Sequence, residues 1–294
     1  ANGGLGVYDN GFLNAVGTAT EPIVFRGLNN VRGYWRGIHT ESDAVLKYVQ
    51  INNAGSNYVY CCNDKAALFA KDGRLTLENS TITQSGDFGL VMRNNVDLVS
   101  YVANTITGSA AAPVSTTFEV SGKIDGLGSS YTGNDEDYIN ISETGVSQAT
   151  TVPANDVPYL VEGKVVDVTE AMTVQEGVEI AFEENGGIGV YDAGSLTLDG
   201  TAANPVKLYG KSNLRGFWRG IHVETNSLSN RFTYAMISDA GSNYVYCCNV
   251  AASVFVKDVR FSIANSVISH GEEFGLYAGR AAQLSFVANT IESH

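Results

Sequence analysis

Basic residues are scarce in this chain: 18 Lys and Arg stand against 31 Asp and Glu, for a formal net charge of −13. Phosphate backbones are held by clustered Lys and Arg, so this balance argues against DNA or RNA as a partner. Long apolar runs are missing as well. No stretch approaches the roughly 20 residues that a bilayer-spanning helix needs, and membrane insertion is not expected. Helical spacing is absent: nowhere do apolar residues recur at i, i+3, i+4 and i+7 over three turns. Proline (5 residues) and Met (3) are rare, whereas Gly is plentiful at 32.

What the chain does have is a message stated twice. Gly33-Tyr34-Trp35-Arg36-Gly37-Ile38-His39 returns as Gly216-Phe217-Trp218-Arg219-Gly220-Ile221-His222. Ala54 to Asn63, including Tyr58-Val59-Tyr60-Cys61-Cys62, returns letter for letter as Ala240 to Asn249. Val102 to Ile106 returns as Val287 to Ile291. Recurrence at about 185 residues marks a tandem array rather than two unlike domains. The division expected is a first partial copy over 1–109, additional coils or connecting loops over 110–158, and a second partial copy over 159–294. Both ends fall inside a repeat, so the chain reads as a window of a longer repetitive polypeptide.

Inside each copy runs a shorter rhythm of roughly 20 to 25 residues, the length of one solenoid coil. Segments such as Ser195-Leu196-Thr197-Leu198 and Arg260-Phe261-Ser262-Ile263 are short, alternating and rich in β-branched or aromatic residues. Gly, Asn, Asp and Ser separate them, which is strand and turn chemistry. The fold expected is all-β, a right-handed parallel β-helix in which each strand pairs with its equivalents about 4.8 Å above and below. Asn79, Asn265, Asn104 and Asn289 precede strand-like triplets and are read as corner residues, because Asn tolerates the left-handed backbone. Within 110–158, Thr117 to Val120 and Tyr138 to Ile141 read as further strands, favouring one continuous solenoid of about a dozen coils, roughly 60 Å long.

Two passages carry a resemblance. Leu160 to Val168 with Met172 to Phe182, and Gly194 to Val206 echoed by Asn14 to Phe25, resemble the opening coils of secreted bacterial right-handed parallel β-helix repeat proteins. These belong to the pectate-lyase-like solenoid superfamily, with surface proteins of the Bacteroidetes type. The resemblance implies a β-solenoid in an extracellular or cell-surface setting. It implies no single activity, because the superfamily includes lyases, tailspikes and adhesins.

Four cysteines form two adjacent pairs, Cys61-Cys62 and Cys247-Cys248. Bridging one pair to the other would cross several coils, tens of Å against a Cα limit near 7 Å. Four readings remain: vicinal disulfides, interchain staples, free thiols and a metal site that lacks further ligands in the local spacing. A disulfide is favoured, vicinal slightly ahead of interchain. Tyr58, Tyr60, Tyr244 and Tyr246 beside them look like aromatic contact loops for sugar rings or a neighbouring subunit. In the Trp-Arg-Gly-Ile-His segments, Trp and Ile are expected to pack, Gly to allow a bend and Arg to face a carboxylate. No motif supplies a catalytic partner for His39 or His222, and no catalytic residue is assigned.

The densest carboxylates are Asp135-Glu136-Asp137, Glu183-Glu184 and Glu272-Glu273. Asp135 to Asp137 are the candidates for Ca²⁺, though a solvated loop is the favoured reading, and no cofactor or resident metal is expected. The function expected is a structural or adhesive rod of a large secreted or cell-surface repeat protein, assembling with other copies of itself into a filament or appendage. Cell-surface glycans are the other partner considered. The alternatives are a carbohydrate-active enzyme, a polysaccharide lyase or hydrolase, and a passive glycan-binding module on the same fold.

Overall fold

A computed structural model describes residues 3–93, 95–143, 145–225 and 227–293. Two compact units are present, Ala1–Asn140 with Asn155–Val157, and Ile141–Ala154 with Pro158–His294. Both are built almost wholly of short strands that pair in parallel. In the first unit Leu5–Val7, Ile38–Thr40, Ala66–Ala70, Phe88–Met92 and Val114–Thr116 succeed one another in one ladder. Leu13–Val16, Ala44–Lys47, Arg74–Glu78 and Asp97–Val102 form a second. Ile23–Arg26, Val49–Asn52, Thr81–Thr83 and Thr105–Thr107 form a third. The second unit is likewise built on three parallel ladders. This arrangement is compatible with a parallel β-helix.

Alternation decides which side of each strand faces the core. In Arg74–Glu78, Leu75 and Leu77 are buried while Arg74 is exposed; Phe261 and Ile263 repeat the pattern in Arg260–Ala264. Successive rungs then stack apolar residues into columns. Val152, Val174, Leu198, Phe232 and Ile263 are consecutive partners in the second unit. Phe25, Ile51, Ile82 and Ile106 do the same in the first. Each such side chain stabilises the fold by about 1.5–3 kcal/mol when fully buried.

Corners behave in two ways. Asn79 (φ 50°) and Asn265 (φ 52°) adopt the left-handed backbone expected of them. At the other pair the left-handed residue is one position earlier, Ala103 and Ala288, both at φ 53°. Asn104 instead reaches across a rung: its Nδ2 donates to the Leu77 carbonyl at 2.9 Å and its Oδ1 accepts from the Ser80 amide at 3.1 Å. Asn289 makes the same two bonds, to the Ile263 carbonyl and the Ser266 amide. These amides tie one corner to the one before it, satisfying backbone groups that a ladder leaves open.

One strand expectation fails. Phe118–Ser121 is a short α-helix, capped by Thr117, whose Oγ1 accepts from the Val120 amide at 3.2 Å. A single turn is too brief to show helical periodicity, and the local Thr cap decides the conformation. Ile139–Ile141 is a strand. No helix among the described residues is long and apolar enough to cross a membrane.

Replacing Asn104 with Ala removes both of its bonds and leaves the buried Ser80 amide without an acceptor, at a cost of about 1–3 kcal/mol. Chemical denaturation followed by circular dichroism should show the lowered midpoint, with the native spectrum unchanged before the transition.

Candidate functional site

The ladders bring together residues that lie far apart in the chain. On one ladder of the second unit Gly189, His222, Phe255 and Tyr277 are rung-to-rung partners. On the matching ladder of the first unit the partners are Gly6, His39 and Phe69. The glycine makes the arrangement possible. The phenol of Tyr191 lies where a Cβ on Gly189 would be, and Tyr8 does the same over Gly6.

Rings therefore enclose each imidazole. Phe255 stacks on His222 at 4.6 Å and 21°, and Phe69 on His39 at 4.6 Å and 25°. Tyr246 meets His222 edge-on at 5.9 Å, as Tyr60 meets His39 at 6.1 Å. Tyr191 and Tyr246 lie 4.9 Å apart at 55°, and Tyr8 and Tyr60 4.7 Å apart at 51°. Both histidines are only 1% exposed, while Tyr60 and Tyr246 remain 62% and 63% exposed. The result is a recess with a buried polar floor and an aromatic rim.

A carboxylate two residues beyond each histidine completes the floor. His222 Nε2 lies 3.1 Å from Glu224 Oε2, and Lys257 Nζ pairs with Glu224 Oε1 at 2.5 Å. In the first unit His39 Nε2 is 3.3 Å and Lys71 Nζ 3.4 Å from Glu41 Oε1. Residues i and i+2 share one side of an extended strand, so His-x-Glu and Phe-x-Lys on neighbouring rungs converge. Burial pushes both imidazoles below the usual histidine range, against the opposing pull of the neighbouring glutamate. Burial works to raise Glu224, but hydrogen bonds from Lys257 and His222 prevail and keep it an anion. Burial raises the Tyr8 and Tyr191 phenols above the ordinary tyrosine range.

The cysteine pairs form the adjoining wall. Cys61 is bonded to Cys62 and Cys247 to Cys248, and no cysteine is free. Cys61 Sγ lies 3.1 Å from Glu41 Oε1, and Cys247 Sγ 3.5 Å from Glu224 Oε2. The loop bends through consecutive left-handed residues, Cys62 and Asn63 in one copy and Cys248 and Asn249 in the other. Of the four tyrosines singled out from sequence, Tyr60 and Tyr246 form the rim. Tyr58 and Tyr244 stand on the loop, their amides held by Asn57 and Asn243. In the second unit Asp167, Thr169, Tyr191, Asp192, Glu224 and Tyr246 line a cavity of about 520 Å³.

Other sequence expectations resolve differently. The Trp218 indole is fully buried, stacks on Phe182 at 4.0 Å and donates to the Ser238 carbonyl; Trp35 donates likewise to Asn52. Gly37 and Gly220 take φ values of 109° and 105°, the bend only glycine adopts readily. Arg219 donates to the Tyr244 carbonyl at 3.5 Å rather than to a carboxylate. The Asp135 carboxylate pairs with Arg32, and Asp137 accepts from the Gly133 and Asn134 amides. Among the described residues, the His/Cys/Asp/Glu groupings with donor atoms within 4.8 Å of one another are His39–Glu41–Cys61 and His222–Glu224–Cys247.

Composition and local motif did not reveal this site, because no linear pattern joins Tyr8, His39, Glu41, Tyr60, Cys61, Phe69 and Lys71. A usable signal was present in the duplication. Each of these residues has its identical counterpart in Tyr191, His222, Glu224, Tyr246, Cys247, Phe255 and Lys257.

The depressed histidines make stability depend on pH with a definite sign. Both folded values lie below the ordinary 6.5, so on acidification the unfolded chain takes up protons first. Their stabilisation is complete above 6.5 and is lost as the pH falls through the folded values. Thermal unfolding should therefore begin at lower temperature as the pH drops below about 6.5, and His39→Gln with His222→Gln should flatten this dependence. In Gly189→Ala the displaced Tyr191 should uncover His222, whose NMR titration midpoint should rise toward the ordinary value. No family model, curated protein or solved structure matches the chain.

Proposed function

We propose that this chain is a structural and adhesive repeat protein, secreted or displayed at a cell surface, whose recurring recesses bind glycans. In this reading the scaffold is a right-handed parallel β-helix with a repeat of about 185 residues, which presents the same surface more than once. The observation that carries the reading is the recurrence of one recess in both units. Its ring spacings agree within a few tenths of an ångström. Nearby residues have meanwhile diverged: Asp64-Lys65 stands against Val250-Ala251, and Val91-Met92 against Tyr277-Ala278.

The recess chemistry suits a sugar. Exposed tyrosine faces cover the C–H surface of a pyranose ring, while a carboxylate, an ammonium and phenolic hydroxyls address its hydroxyl groups. Two recesses on one chain add avidity where a ligand carries several copies of the epitope. Assembly with further copies of the chain extends the same logic.

A second reading, hydrolysis of a polysaccharide, is favoured by one observation. Asp167 and Glu224 line the same cavity, and burial raises the Asp167 carboxyl while Glu224 is held ionised. Opposed shifts of this kind suit an acid and a base.

Glycan-array binding of the intact chain, followed by titration of the best ligand, tests the leading reading. Tyr60→Ala and Tyr246→Ala should each weaken the recess they rim by about ten- to thirty-fold, as aromatic anchors do. The double variant should lose multivalent binding altogether. Unchanged binding in the double variant would overturn the glycan reading. Release of reducing ends by the wild type, lost in Asp167→Asn, would support the hydrolase instead.

A further inference from the structure

We propose that each vicinal disulfide is the closed form of a metal site, opened by a dithiol reductant to take a thiolate-seeking divalent cation such as Zn²⁺. The inference stands on donor geometry and does not depend on the glycan reading. His222 Nε2, Glu224 and Cys247 Sγ bring their donor atoms within 4.8 Å of one another, and His39, Glu41 and Cys61 do the same. Nitrogen, carboxylate oxygen and sulfur are the donors zinc takes in proteins, at bond lengths near 2.0–2.3 Å. Three donors within that span can share one central ion. Cys248 and Cys62 are each covalently joined to the third donor, and in the proposed site their sulfurs are the fourth ligands.

The disulfide keeps the site shut. A bridged sulfur carries no charge and is a poor donor, which leaves only an imidazole and a carboxylate already paired with Lys257 or Lys71. Reduction changes the inventory. The dithiol gives up two electrons and two protons and closes its own S–S bond. The Cys247–Cys248 S–S bond breaks, and two S–H bonds form. Binding of the dication then releases both thiol protons to solvent, so two thiolates balance its charge. The proton on His222 Nε2 moves to Nδ1, freeing the nitrogen that faces Glu224.

Charge and orientation both fit. Lys257 holds Glu224 Oε1, whereas His222 and Cys247 face Oε2. In the second unit a cation seated between nitrogen, sulfur and Oε2 can therefore leave the lysine pair in place; in the first unit His39, Cys61 and Lys71 all face Glu41 Oε1, so there the cation takes the oxygen that Lys71 holds. The glutamate–lysine pair is neutral and the metal dithiolate is neutral, which a largely buried floor requires.

The test uses the whole chain and Co²⁺ as a coloured stand-in for zinc. After treatment with a phosphine reductant and its removal without air, thiol titration should count all four cysteines. Cobalt should then give near-ultraviolet thiolate charge-transfer absorption and the visible bands of tetrahedral coordination. These should saturate at two ions per chain and be bleached by Zn²⁺. The untreated chain should stay colourless. His222→Gln should weaken one of the two sites at least tenfold, as should Cys247→Ser with Cys248→Ser, and a native circular dichroism spectrum certifies each fold. The proposal is overturned by disulfides that resist the reductant, by colour that ignores reduction, by absence of colour in the reduced chain, or by two unweakened sites in the well-folded His222→Gln variant.

Discussion

One carboxylate in each unit holds the recess together. Glu224 meets the imidazole of His222, the ammonium of Lys257 and the sulfur of Cys247. Glu41 meets His39, Lys71 and Cys61, all three at its Oε1. These contacts tie two adjacent rungs and a surface loop to a single anion. Without it, an imidazole buried to 1% exposure would lack a partner for its Nε2–H, and the lysine would lose the charge that draws it inward. With it, the aromatic rings can close over the pair and leave only their outer faces to solvent.

The scaffold explains why such a cluster forms from residues so distant in sequence. A parallel ladder sets equivalent positions one above another at the interstrand spacing, so each outward column is a line of neighbours. Inward columns of Val, Leu, Ile and Phe supply the burial that stabilises the stack. The column through Gly189, His222, Phe255 and Tyr277 spends one position on glycine, and that gap is where the Tyr191 ring lies. A stable ladder thus frees its outer side chains to form the recess.

Much of the scaffold was legible in the residues. Alternation in segments such as Arg74–Glu78 and left-handed corners at Asn79 and Asn265 follow from local stereochemistry. The helix at Phe118–Ser121 was not legible, since one capped turn and one short strand look alike. The shift of the left-handed residue to Ala103 and Ala288 was equally hidden. Asn104 gains more from two cross-rung bonds than from a corner backbone of its own. The recess was legible only by comparing the two copies position by position. A single copy shows a histidine, a glutamate, a lysine and some tyrosines with nothing to connect them.

The Glu224 carboxylate fastens the Tyr246–Cys247–Cys248 loop to the ladders through Cys247 Sγ, 3.5 Å from its Oε2. Hydrogen–deuterium exchange of Glu224→Gln against the wild type tests it most directly, because protection is read segment by segment. The account predicts faster exchange across residues 240–249, unchanged protection in Ala252–Val256 and Arg260–Ala264, and no change at residues 54–63 in the other unit. Equal protection of the 240–249 loop in both proteins would contradict it.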